Sequence, residues 1–223
     1  MEDFLKKLNI LYEDNHIIVV EKFVNVPTCE DESKDLDMLT IVKEYLKIKY
    51  NKPGNVYLGL LHRLDRPVGG IMVFAKTSKA ASRISEMIRT DQLEKRYYAV
   101  IMGSLEKPEG TFEDYLLKDA KTNTVSVDKN GKYAKLEYHL LASKENMSLV
   151  DINLLTGRSH QIRVQFSSRN HPLFGDQKYN KKANCNEQIA LYSYYLSFPH
   201  PVTKEKMVFK LDLPNRYPFN LFS

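Results

Sequence analysis

A run of four short strand-like segments in the middle of the chain constrains the fold more than any other feature. Turns that contain Gly or Asn, such as Lys129-Asn130-Gly131, separate the segments. The segments cover residues 111–117, 124–127, 133–141 and 147–154. Because adjacent strands with few helices between them are typical of an α+β fold, the run predicts a largely antiparallel sheet.

Helical and strand-like patterns on either side of this run complete the prediction. Apolar residues at three- and four-residue spacing predict helices over residues 33–50, with Ser33 or Asp35 as the cap, and after Thr77-Ser78. A third helix is predicted over residues 158–168. Further strands are predicted at residues 16–20, 56–60, 71–75, 95–102, 189–197 and 207–211. We expect an α+β fold with a mixed, largely antiparallel central sheet and flanking helices, in a single domain over residues 1–223 that could divide into two subdomains around a cleft.

Composition and charge allow an RNA-binding enzyme without demanding one. The formal net charge of +5 is compatible with a nucleic-acid partner, but many enzymes carry a similar surplus. Cys29 and Cys185 are too few for a disulfide framework, and no Cys-x-x-Cys pair suggests a zinc or redox site. The N-terminus lacks the apolar core of a signal peptide, and no apolar run is long enough to span a membrane. We therefore expect a monomeric protein of the reducing cytoplasm.

Charged side chains stand directly before an apolar strand at residues 61–76, which read LHRLDRPVGGIMVFAK. A buried carboxylate is costly unless it is paired, so Asp65 in this position is a candidate active-site acid. The alternative is an ordinary turn or helix-cap aspartate before Pro67, paired with Arg63 or Arg66. The two glycines that follow favour the active-site interpretation, since they allow the backbone to approach a ligand closely.

A second polar cluster lies in the sequence LLTGRSHQIRVQF at residues 154–166. If this segment is helical, its apolar residues face the core, and Arg158, His160 and Arg163 either cover the solvent side or meet an anionic partner. Cations are unfavourable at a helix N-terminus, so a phosphate or a carboxylate there would relieve them. If both clusters line one cleft, Arg163 could pair with Asp65 and keep that carboxylate ionised.

Tyr97 and Tyr98 are neighbours on a predicted strand, so their rings point to opposite faces of the sheet. One ring is expected in the core, and the other could stack on a base or another planar group. Other site types find no support, because the His residues fit no zinc-ligand spacing, Gly131-Lys132 lies outside a phosphate-binding loop and no Gly-x-Ser-x-Gly elbow is present.

Taken in order, these segments resemble the RluA-type pseudouridine synthases. LHRLDRPVGGIMVFAKT resembles the family's His-Arg-Leu-Asp signature, and LYEDNHIIVVEK resembles its opening strand. EKRYYAVIMG resembles its tyrosine strand, LLTGRSHQIRVQFSSRNHPLFGDQKY its Arg-bearing helix and Gly-Asp-x-x-Tyr loop, and LYSYYLSFPHPVTKEKMVF its closing strands. The resemblance covers residues 10–214, and several motifs in family order are more specific than any one of them.

The resemblance implies a role for each candidate residue. Asp65 matches the catalytic aspartate, Arg163 the arginine that pairs with it, and Tyr97 the ring that packs on the target base. Arg63 matches the arginine that fills the place of the displaced uridine. Further RNA contacts are expected from His62, Arg66, Arg158 and His160. The implied reaction isomerises a flipped-out uridine of rRNA or tRNA to pseudouridine, and it needs neither a metal nor an organic cofactor.

Departures from the family pattern bear on substrate identity more than on the reaction. Residues 67–70 read Pro-Val-Gly-Gly where the family usually has Thr-Ser-Gly, and residues 21–25 read Glu-Lys-Phe-Val-Asn in place of Asn-Lys-Pro-x-Gly. Val164 and Gln165 follow Arg163 where the family usually has a histidine. An N-terminal S4 RNA-binding domain is expected to be absent, so RNA affinity would come from the catalytic domain itself.

Two other functions compete with this prediction. A non-catalytic RNA-binding or ribosome-assembly protein could use the same scaffold, but it would not need a charged acid in a cleft. A hydrolase of glycosidic bonds would need a second carboxylate about 5 to 9.5 Å from Asp65, and no second acid accompanies the motif. An RNA pseudouridine synthase with Asp65 as its catalytic residue is therefore the leading prediction.

Overall fold

Eleven β-strands and four α-helices follow one another along the chain, and the computed structural model describes all of it, Met1–Ser223. The strands are β1 (Ile10–Glu13), β2 (Ile17–Lys22), β3 (Gly59–Leu60), β4 (Gly69–Ala75), β5 (Glu94–Met102), β6 (Glu109–Asp119), β7 (Thr124–Val127), β8 (Lys132–Lys144), β9 (Met147–Leu154), β10 (Leu191–Pro199) and β11 (Lys206–Lys210). The helices are α1 (Glu2–Lys7), α2 (Met38–Lys49), α3 (Ser78–Arg89) and α4 (Gln161–Ser167), and a 3-10 turn covers Phe219–Leu221. The predicted α+β class, with a mixed, largely antiparallel sheet, is confirmed.

These elements belong to two compact units. The first unit contains Met1–Leu93 and Tyr195–Leu211, and the second contains Glu94–Tyr194 and Asp212–Ser223. Strand β10 therefore contributes its beginning to the second unit and the remainder to the first.

In the first unit, β1, β2 and β4 lie side by side as antiparallel neighbours, β3 pairs with the end of β4, and β11 pairs with β10. Every residue of β4 is buried, which explains why its sequence is continuously apolar instead of alternating. Helix α3 contributes Ile84 and Met87 to the core of this unit. Thr77 caps α3 as predicted, because its hydroxyl accepts a hydrogen bond from the Ala80 N–H at 3.2 Å.

In the second unit, antiparallel strands lie in the order β5, β9, β8, β6 and β7. Helix α4 places Val164 against Leu116, Val125 and Ala134. The predicted run of four strands is confirmed in β6 to β9. Two of these strands have the predicted bounds, whereas β6 and β8 extend further in both directions.

Helix α2 begins later than predicted because the residues before it form a polar loop. Asp37 caps the helix in place of Ser33 or Asp35, and its carboxylate accepts a hydrogen bond from the Thr40 N–H at 3.0 Å. The guanidinium of Arg66 donates to the Ser33 hydroxyl and forms an ion pair with Asp35. Ser33 and Asp35 thus bond to another segment, and the cap is the next aspartate along the chain.

Helix α4 is shorter than predicted because residues 158–160 form a turn. His160 adopts a left-handed backbone conformation with a φ of 51°. The side-chain oxygen of Gln161 accepts hydrogen bonds from the Arg158 N–H at 3.0 Å and from the Thr156 hydroxyl at 2.8 Å. A residue inside the helix thus bonds to the turn that precedes it. The predicted strand over residues 56–60 is likewise reduced to β3.

The helices are short throughout. Helix α1 has no buried residue, and no apolar period in its sequence predicts it. The longest helices, α2 and α3, have 12 residues each, and none has the length and apolar character that a membrane crossing requires.

Candidate active site

Asp65 lies in a turn that directly precedes β4 in the first unit. The Val68 N–H donates to the Asp65 carbonyl at 2.9 Å and closes the turn. The strand then begins at Gly69, and Gly70 has a φ of 119°, a conformation in which a side chain would be strained. Asp65 is half-buried, and Leu64 before it is buried. A defined backbone therefore carries the carboxyl group.

Two buried side chains fix this backbone on either side of Asp65. The Thr28 hydroxyl donates to the carbonyl of the preceding residue at 2.9 Å. On the other side, Lys22 donates to the carbonyls of Arg66 at 3.0 Å and Val68 at 2.7 Å. The turn is consequently held both before and after the candidate acid.

Lys22 is a buried cation beneath the Asp65 turn, and it is 1% exposed. It also donates to the Phe23 carbonyl at 2.9 Å, so three carbonyls serve its three N–H groups. Burial lowers the pKa of Lys22 to about 7, although the negative charge of Asp65 partly opposes this shift. The sequence patterns described above do not predict a role for Lys22. The signal for it was its place at the end of β2, a strand in which nearly every residue is buried.

The other polar residues around Asp65 have separate surroundings. His62 accepts a hydrogen bond at Nε2 from the Val73 N–H at 3.2 Å, which ties its ring to β4. Arg63 is exposed. Arg66 is also exposed, and its guanidinium bonds to the acidic loop before α2, as described above. The RNA contacts expected of these three residues stay predictions.

Arg163 is buried in α4 of the second unit, with 6% of its surface exposed. Its Nε donates to Asp176 Oδ2 at 2.9 Å, and its Nη2 donates to Asp176 Oδ1 at 2.7 Å. The guanidinium carbon lies 5.1 Å from the centroid of the Tyr179 ring. The interpretation that Arg163 merely covers the solvent side of the helix is therefore wrong. A two-point ion pair of this kind holds the guanidinium in one orientation.

The loop that holds Arg163 depends on a glycine. Gly175 has a φ of 67°, and a Cβ there would lie 2.6 Å from the Gln188 carbonyl oxygen. Asp176 follows, and its Oδ1 also accepts hydrogen bonds from two backbone N–H groups of the next turn, at 3.1 and 3.2 Å. The Gly-Asp-x-x-Tyr pattern is visible in the sequence, but it does not predict Asp176 as the partner of Arg163. No local pattern links two residues that meet only when the loop folds back on the helix.

The turn before α4 is tied to the same loop and to the sheet. His160 Nδ1 and the Tyr179 hydroxyl lie 2.6 Å apart. Arg158 is exposed, and its Nε donates to the Tyr133 carbonyl at 2.7 Å. These contacts give both side chains a structural role, and the RNA contacts expected of them stay predictions.

Tyr97 and Tyr98 lie on opposite faces of β5, and the expectation that one ring is in the core is confirmed. Tyr97 is the core ring, with 6% of its surface exposed. Tyr98 stacks on Tyr194 with ring centroids 3.7 Å apart. The Tyr194 hydroxyl donates to Asp151, which also pairs with Arg96. The role of Tyr97 against a target base stays a prediction that comes from the family resemblance.

The candidate residues thus fall into two groups. One loop of the first unit carries His62, Arg63, Asp65 and Arg66, and the second unit carries Tyr97, Arg158, His160 and Arg163. No group of three or more His, Cys, Asp or Glu side chains is placed to hold a metal ion. Within the first unit, a firmly held and partly buried carboxyl group can act as a nucleophile or move a proton.

Comparisons with known proteins agree on one family. The model of the RNA pseudouridylate synthase family matches residues 16–168, more than half of the chain. The uncharacterized RNA pseudouridine synthase YhcT of Bacillus subtilis is 32% identical over 212 aligned positions, and the match covers 93% of this chain and 69% of that protein. The Vibrio cholerae ribosomal large subunit pseudouridine synthase D is 31% identical over an alignment of 232 positions, gaps included, and the match covers 93% of this chain and 68% of that protein.

A solved structure has the same fold. Human RNA pseudouridylate synthase domain containing 4 superposes with a TM-score of 0.83, and the match covers 99% of this chain and 95% of the human one. The two sequences are 22% identical, so this likeness concerns the fold alone. The matched range contains the positions of Asp65, Tyr97 and Arg163, whose roles stay predictions. On the family model and the sequence relatives together, the chain belongs to the RNA pseudouridylate synthase family, in its RluA-type group.

Proposed function

We propose that this chain isomerises specific uridines of RNA to pseudouridine and that Asp65 is its catalytic residue. Family membership gives the reaction class, an isomerisation on RNA. The observation that supports Asp65 is the construction of its turn, in which Thr28 and Lys22 hold the backbone on both sides of a half-buried carboxyl group. A reacting group that is already in position lowers the entropic part of the barrier.

The reaction needs no external reagent. The bond between N1 of uracil and C1′ of ribose breaks, and a bond between C5 and C1′ forms. C5 loses its proton and N1 gains one, so atoms and electrons balance within the substrate and solvent. Asp65 acts in this reaction either as the nucleophile or as the group that transfers the proton. The target base must leave the stack to reach a protein carboxylate.

Further residues have supporting roles in this proposal. Arg163 acts as the counter-ion of Asp65, and its guanidinium has five N–H groups, of which the two described above bond to Asp176. Tyr97 packs on the target base, and Arg63, which is exposed, fills the place that the base leaves. Remaining RNA contacts come from His62, Arg66, Arg158 and His160.

Ribosomal RNA of the large subunit is the first substrate to test, with tRNA as the alternative. The V. cholerae relative is named for the ribosomal large subunit, which favours rRNA. We place the reaction in the cytoplasm and expect a monomer. Two cysteines that form no disulfide, Cys29 and Cys185, suit a reducing compartment.

The test is tritium release from RNA labelled at C5 of uridine, followed by mapping of the modified position. Wild-type protein should release tritium from one RNA fraction. Asp65→Asn should abolish release because the carboxylate is lost, while RNA binding measured by filter retention stays close to wild type.

Asp91→Asn is a matched control, since Asp91 is an exposed aspartate of the same unit in a left-handed turn that asparagine tolerates. It should release tritium at the wild-type rate. Normal release by Asp65→Asn would remove Asp65 from the chemistry. A wild-type protein that binds RNA but releases no tritium from any fraction would favour the non-catalytic RNA-binding protein.

A further inference from the structure

A basic and aromatic surface lies where α2 ends. Tyr50 follows the last residue of this helix, and the side chains of three lysines surround its ring. The Nζ atoms of Lys49, Lys52 and Lys76 lie 5.5, 5.7 and 4.8 Å from the ring centroid. We call these four residues the Tyr50 surface.

The ring of Tyr50 is held in one orientation although much of it is exposed. Its hydroxyl donates to Glu13 Oε1 at 2.7 Å and accepts a hydrogen bond from Lys76 at 3.3 Å. Burial raises the pKa of Glu13, but hydrogen bonds from Lys49, Lys76 and Tyr50 outweigh it and lower the pKa to about 2. The ring keeps 45% of its surface exposed. A ring that is fixed beforehand loses little side-chain freedom when a base stacks on it.

Positive charge is in excess around this ring. The Tyr50 surface has three lysines, and Glu13 is the carboxylate that pairs with two of them. Residues 43–57 contain four lysines and one glutamate. Lys52 is exposed and touches the ring without forming an ion pair. The stability of the fold does not require an exposed ring or Lys52 at this place. A partner that has planar groups and negative charge could stack on the ring and pair with Lys52.

The Tyr50 surface and the Asp65 turn lie at opposite ends of β4. The turn precedes Gly69, the first residue of the strand, and Lys76 follows Ala75, the last one. Six steps of extended chain separate these ends by about 20 Å. A nucleotide on Tyr50 therefore could not be the one that reacts at Asp65.

We propose that the Tyr50 surface is an accessory RNA-binding site, on which an unpaired base of the substrate RNA stacks on Tyr50 while Lys49 and Lys52 contact the neighbouring phosphates. Single-stranded RNA combines planar bases with a phosphate at every step, and it is recognised by aromatic rings among basic side chains. The inference rests on the proposed function in taking RNA as the partner. It adds a second point of attachment for RNA outside the reacting nucleotide.

The first test measures binding of a fluorescein-labelled 20-nucleotide oligouridylate by anisotropy. Tyr50→Ala should weaken binding about fivefold or more, which corresponds to at least one stacked base. Tyr50→Phe loses the same hydroxyl contacts but keeps the ring, so its loss of affinity should be clearly smaller than that of Tyr50→Ala. Tyr115→Ala is the matched control, because Tyr115 is 51% exposed on β6 in the second unit, and it should not change binding.

Equal losses in Tyr50→Phe and Tyr50→Ala would assign the effect to the hydrogen bonds with Glu13 and overturn the stacking site. Thermal unfolding of each variant reports whether the fold is intact. Wild-type affinity in Tyr50→Ala would overturn the proposal directly.

The second test measures the salt dependence of the same binding. Lys52→Gln should reduce the slope of log Kd against log salt concentration by about 0.7, the value for one phosphate contact to a single strand. Lys121→Gln, at an exposed lysine between β6 and β7, should leave the slope unchanged. An unchanged slope in Lys52→Gln would show that Lys52 contacts no phosphate and would overturn its role.

Poly-L-glutamate serves as a polyanion without bases. The affinity for poly-L-glutamate should not change in Tyr50→Ala. If this affinity falls as much as the affinity for RNA, the Tyr50 surface binds an acidic protein and the proposal is overturned. These measurements need no turnover, so their outcome is separate from that of the proposed function. A wild-type protein without isomerase activity would refute the latter and leave the binding site standing.

Discussion

Lys22 shows how a single buried residue can serve both the fold and the candidate site. Two of its three hydrogen bonds hold the turn that presents Asp65, and its side chain is almost fully buried. Burial makes the charged form costly, so the folded protein binds this proton less tightly than the unfolded chain, in which lysine has a pKa of 10.5. Such a difference between folded and unfolded states makes stability depend on pH.

Lys22→Met should remove one component of that pH dependence. The pKa of Lys22 is about 7 in the folded state, so between pH 7 and 10.5 the unfolded state binds more protons and stability rises with pH. The share from one group is at most about 1.4 kcal/mol per pH unit. Urea unfolding at pH 7, 8 and 9 measures it, and wild type should gain stability relative to the variant across this range.

The matched control for this comparison is Lys121→Met, at an exposed lysine of the second unit. Its stability should follow that of wild type at each pH. If Lys22→Met and wild type show equal slopes, Lys22 does not titrate in this range and the argument from burial fails.

For single residues, the sequence identifies the candidate site residues but not the residues that hold them in place. Asp65 and Arg163 stand out because charged residues interrupt apolar segments. Lys22 and Asp176 give no such signal, since their partners lie far away in the chain and meet them only in the folded state. Whether Tyr97 or Tyr98 is the core ring also depends on tertiary packing, because alternation along a strand separates the two without ranking them.

At the scale of elements, the period of apolar residues predicted which segments form, and local polar contacts decided where they begin. Helix α2 illustrates this division. Its buried residues Val42 and Leu46 follow a helical period in the sequence, but the period does not show that Asp37 is the cap or that the earlier candidate Asp35 pairs with Arg66. Helix α4 likewise begins at Gln161, whose side chain accepts a hydrogen bond from the Arg158 N–H. The spacing of apolar residues does not predict this contact.

Replacement of the cap should therefore distinguish the two aspartates before α2. Asp37→Ala should lower the free energy of unfolding by about 1 kcal/mol, because the Thr40 N–H loses its acceptor at the start of the helix. Asp35→Ala should have little effect, since Asp35 is exposed and takes part in a surface ion pair. Urea unfolding of the two variants provides the comparison, and a larger loss in Asp35→Ala would contradict the assignment of Asp37.

At the scale of the whole molecule, the first unit is discontinuous in sequence. It combines Met1–Leu93 with Tyr195–Leu211, so part of its core comes from the end of the chain. Leu196, Phe198 and Phe209 pack in the same cluster as residues of β2, β4 and α3. Sequence composition marked no linker at the points where the chain leaves this unit and returns to it, which is why the division could not be placed beforehand.

A fragment of residues 1–93 should accordingly fail to fold on its own. The missing strands remove three large apolar side chains from its core, and losses of this size each cost about 2 to 5 kcal/mol. Urea titration followed by circular dichroism should show no cooperative transition. The matched control joins residues 1–93 to 195–211 through a Gly/Ser linker and should unfold cooperatively. A sharp transition in the shorter fragment would mean that β10 and β11 are dispensable for this unit.

The discontinuity also sets an order of events during synthesis. The ribosome releases β1, β2, β4 and α3 early, yet the side chains that complete their core emerge only when nearly the whole chain has been made. The strands β5 to β9 are consecutive and can pair as soon as they appear. The core beside the Asp65 turn is therefore completed only after β5 to β9 have been synthesised, so this turn reaches its final packing later in synthesis than its place in the sequence suggests.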